Sequence, residues 1–371
     1  MNGEAHRVVL KVGSSSLNHV RGGLNEQAVE QVVDLLAALT AEGIECILVS
    51  SGAVAAGMGK LGLSSRPKGI AERQAVAAVG QGKLIEKYNE QLERHGLIGA
   101  QVLLSRVDLA DPTHYRNAQN TLEKLIKRKV IPIINENDTV VVEELCFGDN
   151  DRLSALVAGL VHADLLAIFT DVDGLYTANP KHDPEAQLIE DVYDIGEVED
   201  GAEGAGSCLG TGGMATKLKA AQIATRFGIG VFLLNSSRMK EMHYYFHGQR
   251  PAGTFFHPTE HCLTGRKRWI AYAGLSEGSI EIDRGAARAL LEEGKSLLAK
   301  GITGVSGNWE RKDLVRIIDG EGQEIGRGIV ELSSVEVERV KGKHSEDVMK
   351  ILPDLSREEV IHRDNLAVND E

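Results

Sequence analysis

Residues 7–16, RVVLKVGSSS, decide the fold class: strand-forming apolar residues, interrupted by one lysine, run into a glycine and three serines. The pattern recurs in ECILVSSG (45–52), LIGAQVLLS (97–105), VIPIIN (130–135), ADLLAIFTDVDG (163–174) and GIGVFLLN (228–235). Helical patterns lie between these runs, as in NEQAVEQVVDLLAALTAEG (25–43) and RLSALVAGLVHA (152–163). Short, nearly all-apolar strands alternating with helices belong to a parallel sheet covered on both faces. The expectation is an α/β protein, three layers deep (α/β/α), with a mainly parallel sheet. Ligands of such sheets gather beyond the carboxyl ends of the strands, so the residues that follow each strand carry the chemistry.

The rhythm stops near residue 235. Residues 236–276 read as irregular, and 277–355 as a compact, mostly β module with one helix at 285–294. The expected division is a catalytic domain over 1–255, a linker over 256–276, the small β domain over 277–355 and a polar tail over 356–371. With 371 residues and 42% apolar content, the chain can bury one large core and one small one. A net charge of −13 argues against nucleic-acid binding as the main activity. Cys46, Cys146, Cys208 and Cys262 are scattered without a C-x-x-C pair, which argues against a disulfide framework or a zinc site and for a reducing compartment. No run of 18 apolar residues offers a membrane span. A cytoplasmic protein is expected.

Each strand end poses a choice between chemistry and ordinary turn construction. Lys11 inside a buried strand fits either a snorkelling edge lysine or an ammonium emerging at a site. Gly13, Ser14 and the serines beyond it favour the second, because small residues let backbone N–H groups approach an anion. Ser50, Ser51 and Gly52 open either an anion-binding helix start or a plain capped helix. INENDTV (134–140) and FGDNDRLSA (147–155) are denser: Asn135, Glu136, Asn137 and Asp138 follow one strand, and Asp149, Asn150 and Asp151 precede a helix. Turn chemistry accounts for one such cluster more readily than for two. Thr170 and Asp171 end the next strand, and the DVDG that begins at Asp171 lacks the distal ligands of a calcium loop. GTGGMATK (210–217) has the glycines and the lysine of a phosphate loop, but Thr216 precedes Lys217 and the Walker spacing fails.

Taken in order, LKVGSS, VSSGAVAAG, INENDTV, GDNDRLSA, FTDVDGLYTANP and GTGGMATK resemble the amino acid kinase family over residues 7–235, and within it the members that phosphorylate the γ-carboxylate of L-glutamate. Residues 277–355 resemble a PUA domain. The resemblance implies that Lys11 and Lys217 touch the phosphates of ATP and that Asp151 holds both lysines. It implies that Ser51, Asp138 and Asn150 bind glutamate, with Asn135 and Asp149 close by. Gly13, Ser14, Thr170 and Asp171 would line the nucleotide pocket, and Thr211, Gly212, Gly213, Met214, Ala215, Thr216 and Lys217 would fold over the phosphates. Magnesium would ride on the nucleotide, with no protein ligand assigned. Also implied are proline biosynthesis, feedback inhibition by proline, a dimer or tetramer, and contact with the reductase for glutamyl phosphate. The rivals within the fold are kinases of acetylglutamate, aspartate, carbamate or UMP. An RNA-binding role for the last domain is disfavoured, because residues 277–355 hold 12 Lys+Arg against 16 Asp+Glu. A local patch such as Arg339, Lys341 and Lys343 fits a solvated strand end better than an RNA contact.

Overall fold

Alternation along the first strand sets the layers. In β1 (Arg7–Val12), Val8, Leu10 and Val12 join one apolar cluster with Val29, Val32, Leu36 and Leu39 of α2 (Glu26–Ala41). Val9 and Lys11 are equally buried and point to the other face, since successive side chains of a strand oppose each other. The computed structural model describes residues 6–19, 23–65, 67–140, 150–178, 180, 182–196, 198, 212–259, 262–263, 265–355 and 358–368.

The chain divides into two compact units, Met1–Leu109 with Thr113–Cys262, and Ala110–Pro112 with Leu263–Glu371. The first is built on an eight-stranded sheet. Its members are β1, β2 (Glu45–Ser50), β3 (Ile98–Leu104), β4 (Val130–Glu136), β5 (Leu165–Thr170), β8 (Asp191–Val192), β9 (Gly230–Asn235) and β10 (Thr254–Phe256). A hairpin of β6 (Leu175–Tyr176) and β7 (Leu188–Ile189) lies outside that sheet. The order is β3-β4-β2-β1-β5-β9-β10-β8, parallel throughout except where β10 runs against β9. The mainly parallel, doubly covered sheet expected from the sequence is therefore present. Its order reverses at β1, with β2 on one side and β5 on the other, and a crevice opens at the carboxyl end of such a switch point. Lys11 occupies that end.

Two helices meet at unusually short range beside the crevice. Gly52 has φ +108°, a left-handed conformation that suits glycine, and turns the chain from β2 into α3 (Ala53–Leu61). In α4 (Ile70–Arg94), a Cβ on Gly80 would stand 1.7 Å from the carbonyl oxygen of Ala53. Gly80→Ala must therefore push α3 and α4 apart, at a cost of about 1–3 kcal/mol or more. Thermal unfolding should show a melting temperature several degrees lower; an unchanged value would mean that the helices separate freely.

The second unit has a five-stranded sheet ordered β13-β11-β14-β15-β17, comprising β11 (Gly278–Ile282), β13 (Ile302–Gly307), β14 (Leu314–Ile318), β15 (Glu324–Ile329) and β17 (Leu366–Val368). A separate pair joins β12 (Leu297–Leu298) to β16 (Glu359–Ile361). The stretch expected as a polar tail after residue 355 thus supplies two strands, β16 and β17. The stretch expected as a linker over 256–276 is structured too, for Ile270 is fully buried in a cluster with Leu314, Ile329 and Ala367. Many cations of this unit are already paired, as in Lys341 with Glu338 at 2.6 Å and Arg311 with Glu336.

Glu336 also closes a capping box with Ser333 at the start of the helix Ser334–Val340. The hydrogen bond from Arg311, and then those from Ser333, pull its carboxyl down to about 2. A depressed carboxylate stabilises the fold above the unfolded value of about 4.3, and that contribution is lost as pH falls through about 2. Glu336→Gln should therefore lower the melting temperature at pH 7. The gap to the parent protein should close between roughly pH 4 and pH 2; a gap independent of pH would contradict this.

Candidate active site

The face of the sheet that carries Lys11 is covered by α7 (Asn150–Leu160), whose described side chains are almost all buried. Asp151 lies in its first turn, where a carboxylate also favours the positive end of the helix dipole. The helix begins at Asn150, so Asn150 and Asp151 lie inside it rather than before it. Asp151 is fully buried and ion-paired through Oδ1 to Lys11, itself only 2% exposed. Its other oxygen, Oδ2, accepts from Lys217 Nζ at 3.2 Å and from Thr216 Oγ1 at 3.0 Å. Two lysines from distant parts of the sequence thus share one carboxylate, leaving a net positive charge beneath the crevice.

Lys217 and Thr216 come from the helix Gly212–Arg226. GTGGMATK was expected to be a loop, yet from Gly212 onward it forms the first turns of that helix. Both side chains fold back to the carbonyl of Gly213, Lys217 Nζ at 3.0 Å and Thr216 Oγ1 at 3.0 Å. Gly213, Met214 and Ala215 lie in the same first turns, with Met214 buried and Ala215 exposed. Such helix starts expose N–H groups that suit an anion. Gly13 lies just past β1, where an added Cβ would stand 3.3 Å from Lys11 Nζ; Ser14 follows it, exposed.

A second polar group joins the ends of β2 and β4. The Asn150 amide nitrogen lies 2.9 Å from the Ser50 carbonyl, 2.9 Å from Ser51 Oγ and 2.8 Å from Asn135 Oδ1. An amide has two hydrogens for these three acceptors, and the Ser51 hydroxyl keeps its own hydrogen for donation. Asn135 in turn donates to Gln81 Oε1 at 2.8 Å, and Ser50 Oγ bonds the buried Tyr88 hydroxyl at 2.9 Å. Burial raises the Tyr88 phenol above its ordinary pKa, so it stays a neutral partner. Asp138 is half-buried in the turn two residues past Glu136.

Thr170 ends β5, next to β1, and donates to Asp171 Oδ1 at 3.1 Å. Asn235, at the end of the neighbouring β9, donates to Asp173 Oδ1 at 3.1 Å and to the Asp171 carbonyl at 3.4 Å. Asp149 and Thr211 lie outside the described residues, as does the burial of Gly212. Gln81, Tyr88 and Asn235 were missed in the sequence. Asn235 obeys the strand-end rule, and applying it to GVFLLN would have found it. Gln81 and Tyr88 sit inside α4, where no such rule points.

Comparison with known proteins follows the same division. The model of the amino acid kinase family matches residues 6–235, and that of the PUA domain matches residues 278–352. The chain is 64% identical over 365 residues to a glutamate 5-kinase of Desulfitobacterium hafniense (strain Y51), covering 98% of this chain and 99% of that one. It is 46% identical over 366 residues to a glutamate 5-kinase of Moorella thermoacetica, covering 98% and 97%. A glutamate 5-kinase of a Synechococcus species (strain JA-3-3Ab) is 48% identical over 365 residues, covering 98% of each chain.

Proposed function

From the premise that this chain belongs to the amino acid kinase family, in its glutamate 5-kinase branch, we propose that it transfers the γ-phosphoryl group of ATP to the side-chain carboxylate of L-glutamate. A carboxylate oxygen attacks phosphorus, the bond to the β,γ-bridging oxygen breaks, and the products are glutamyl 5-phosphate and ADP. No general base is needed, because the attacking carboxyl, with a pKa of about 4.3, is already ionised at neutral pH. The remaining task is to align donor and acceptor and to offset charge on the group in flight.

The observation that carries this reading is the sharing of Asp151 by Lys11 and Lys217. Held between two ammonium groups, the carboxylate fixes both and cancels one charge. One net positive charge then faces the transferring phosphoryl group without having to reorganise. Because Asp151 is committed to Lys11, Lys217 and Thr216, magnesium is better carried by the nucleotide than by this carboxylate. On the same reading Gly13, Ser14, Thr170, Asp171 and residues 211–217 serve ATP. Ser51, Asn135, Asp138, Asn150 and Asp149 serve glutamate, with the Ser51 hydroxyl a donor to a substrate carboxylate.

The reaction would open proline biosynthesis in the cytoplasm, in a homo-oligomer inhibited by proline, handing a labile acyl phosphate to a reductase. The test is ATP-dependent hydroxamate formation with L-glutamate, N-acetylglutamate and aspartate, with and without proline. Product from L-glutamate alone, suppressed by proline, is expected; preference for another acid would overturn the substrate assignment. Asp138→Ala should raise the glutamate KM and leave the ATP KM unchanged. The reverse pattern would move Asp138 to the nucleotide side.

A further inference from the structure

At the opposite end of β2 from Ser50 and Ser51, three other ligand-bearing side chains converge. Glu42 caps the carboxyl end of α2, three residues before β2 begins. His243 lies in the helix Glu241–Tyr245 that follows β9, and His247 is one turn further on, in the spacing that puts both on one side of a helical run. Both Nε2 atoms point at the same oxygen, Glu42 Oε1, that of His247 at 3.0 Å and that of His243 closer still. The imidazole rings stand edge-on with centroids 5.1 Å apart. Among the described residues, one ligand atom from each of the three lies within 4.8 Å of the other two.

One carboxylate oxygen can accept from both rings, so hydrogen bonding accounts for the arrangement; the same three atoms also form a ligand set that a single cation could share. A tetrahedral dication with bonds of about 2.0–2.1 Å to imidazole nitrogen holds its ligand atoms roughly 3.3 Å apart; the His247–Glu42 separation of 3.0 Å is close to that, and His243 would have to draw back from Glu42 to admit the ion. The side chains are 30%, 30% and 52% exposed for Glu42, His243 and His247, so an ion can enter from solvent.

We propose that Glu42, His243 and His247 bind one transition-metal dication of the zinc class, with water in the fourth position. Two imidazole nitrogens and one carboxylate suit borderline ions and make a poor magnesium site, so this ion would not draw on the metal carried by ATP. The six residues of β2, at about 3.3 Å each, keep it roughly 20 Å from Ser51. Its effect is therefore on the fold: it ties the end of α2 to the connection between β9 and β10.

The experiment is titration of the full-length, tag-free, chelator-treated protein with Co2+, followed by Zn2+ competition and by thermal unfolding in each ion. One equivalent of Co2+ should give a saturable tetrahedral absorption spectrum that Zn2+ abolishes, and Zn2+ should raise the melting temperature. His243→Ala, and separately the more exposed His247→Gln, should weaken Co2+ binding by roughly tenfold or more while leaving turnover unchanged. Glu42→Gln should do the same. Absence of saturable binding up to millimolar metal, or parental affinity in the correctly folded His243→Ala or His247→Gln protein, would overturn the proposal.

Discussion

Asp151→Ala lowers the melting temperature on the order of 10 °C and abolishes measurable turnover, the largest combined effect expected of any single change in the site. Lys11 is held in a position only 2% exposed by a carboxylate that is itself fully buried. Removing one partner of a buried pair leaves the other charge uncompensated, which costs about 3–5 kcal/mol. Lys217 and Thr216 lose the same acceptor, so the first turns of the helix Gly212–Arg226 lose an anchor to α7. A second readout separates this from generic damage. Bound ATP carries negative charge to the orphaned lysines, so it should raise the melting temperature of Asp151→Ala by more than it raises that of the parent. Equal shifts would mean that the lysines do not meet the phosphates.

Lys217→Met is expected to behave differently, reducing kcat by roughly 10²–10³ with little change in stability. The methionine keeps much of the aliphatic stem, and Asp151 retains Lys11 as its counter-ion. Lys217 is also more accessible, at 12% side-chain exposure, so less is lost from packing. The glutamate KM should stay near its parental value if, as proposed, Lys217 acts on the group in flight. A kcat within about threefold of the parent would remove Lys217 from the chemistry. Lys11→Ala differs again: it should cost stability as well as rate, because it breaks the deeper of the two ion pairs.

How far the sequence disclosed this site depended on whether a residue's role is local. Lys11, Ser51, Asn135 and Thr170 follow or end apolar runs, so the strand-end rule reached them directly. Asp151 was reached only through the family resemblance, because its meaning lies in tertiary contacts with Lys11 and Lys217 and no periodicity encodes those. GTGGMATK read as a loop because its glycines and lysine are those of a phosphate loop, and glycines weaken a helix interior by about 1 kcal/mol each. At a helix start the penalty is small, and contacts with Asp151 fix the backbone there.

The second unit was misread at its ends for a related reason. β16 and β17 are each three residues long, too short to show alternation. β17 seats against Gly326, where a Cβ would meet the Ala367 carbonyl at 2.6 Å, so the strand is admitted by a missing side chain in its partner. Ile270, inside an irregular-looking stretch, is held by neighbours that arrive as late as residue 367. The parallel layers were legible because a doubly buried strand writes itself as an apolar run, as LLAIFT of β5 does.

In the proposed mechanism Lys11 and Lys217, joined through Asp151, act as one unit on the transferring phosphoryl group. The most direct test is single-turnover transfer from ATP to L-glutamate in Lys11→Met, Lys217→Met and the double variant. The double variant should be scarcely slower than the slower single one, because groups acting as a unit are strongly non-additive. Losses that multiply, or a single variant as fast as the parent, would contradict it.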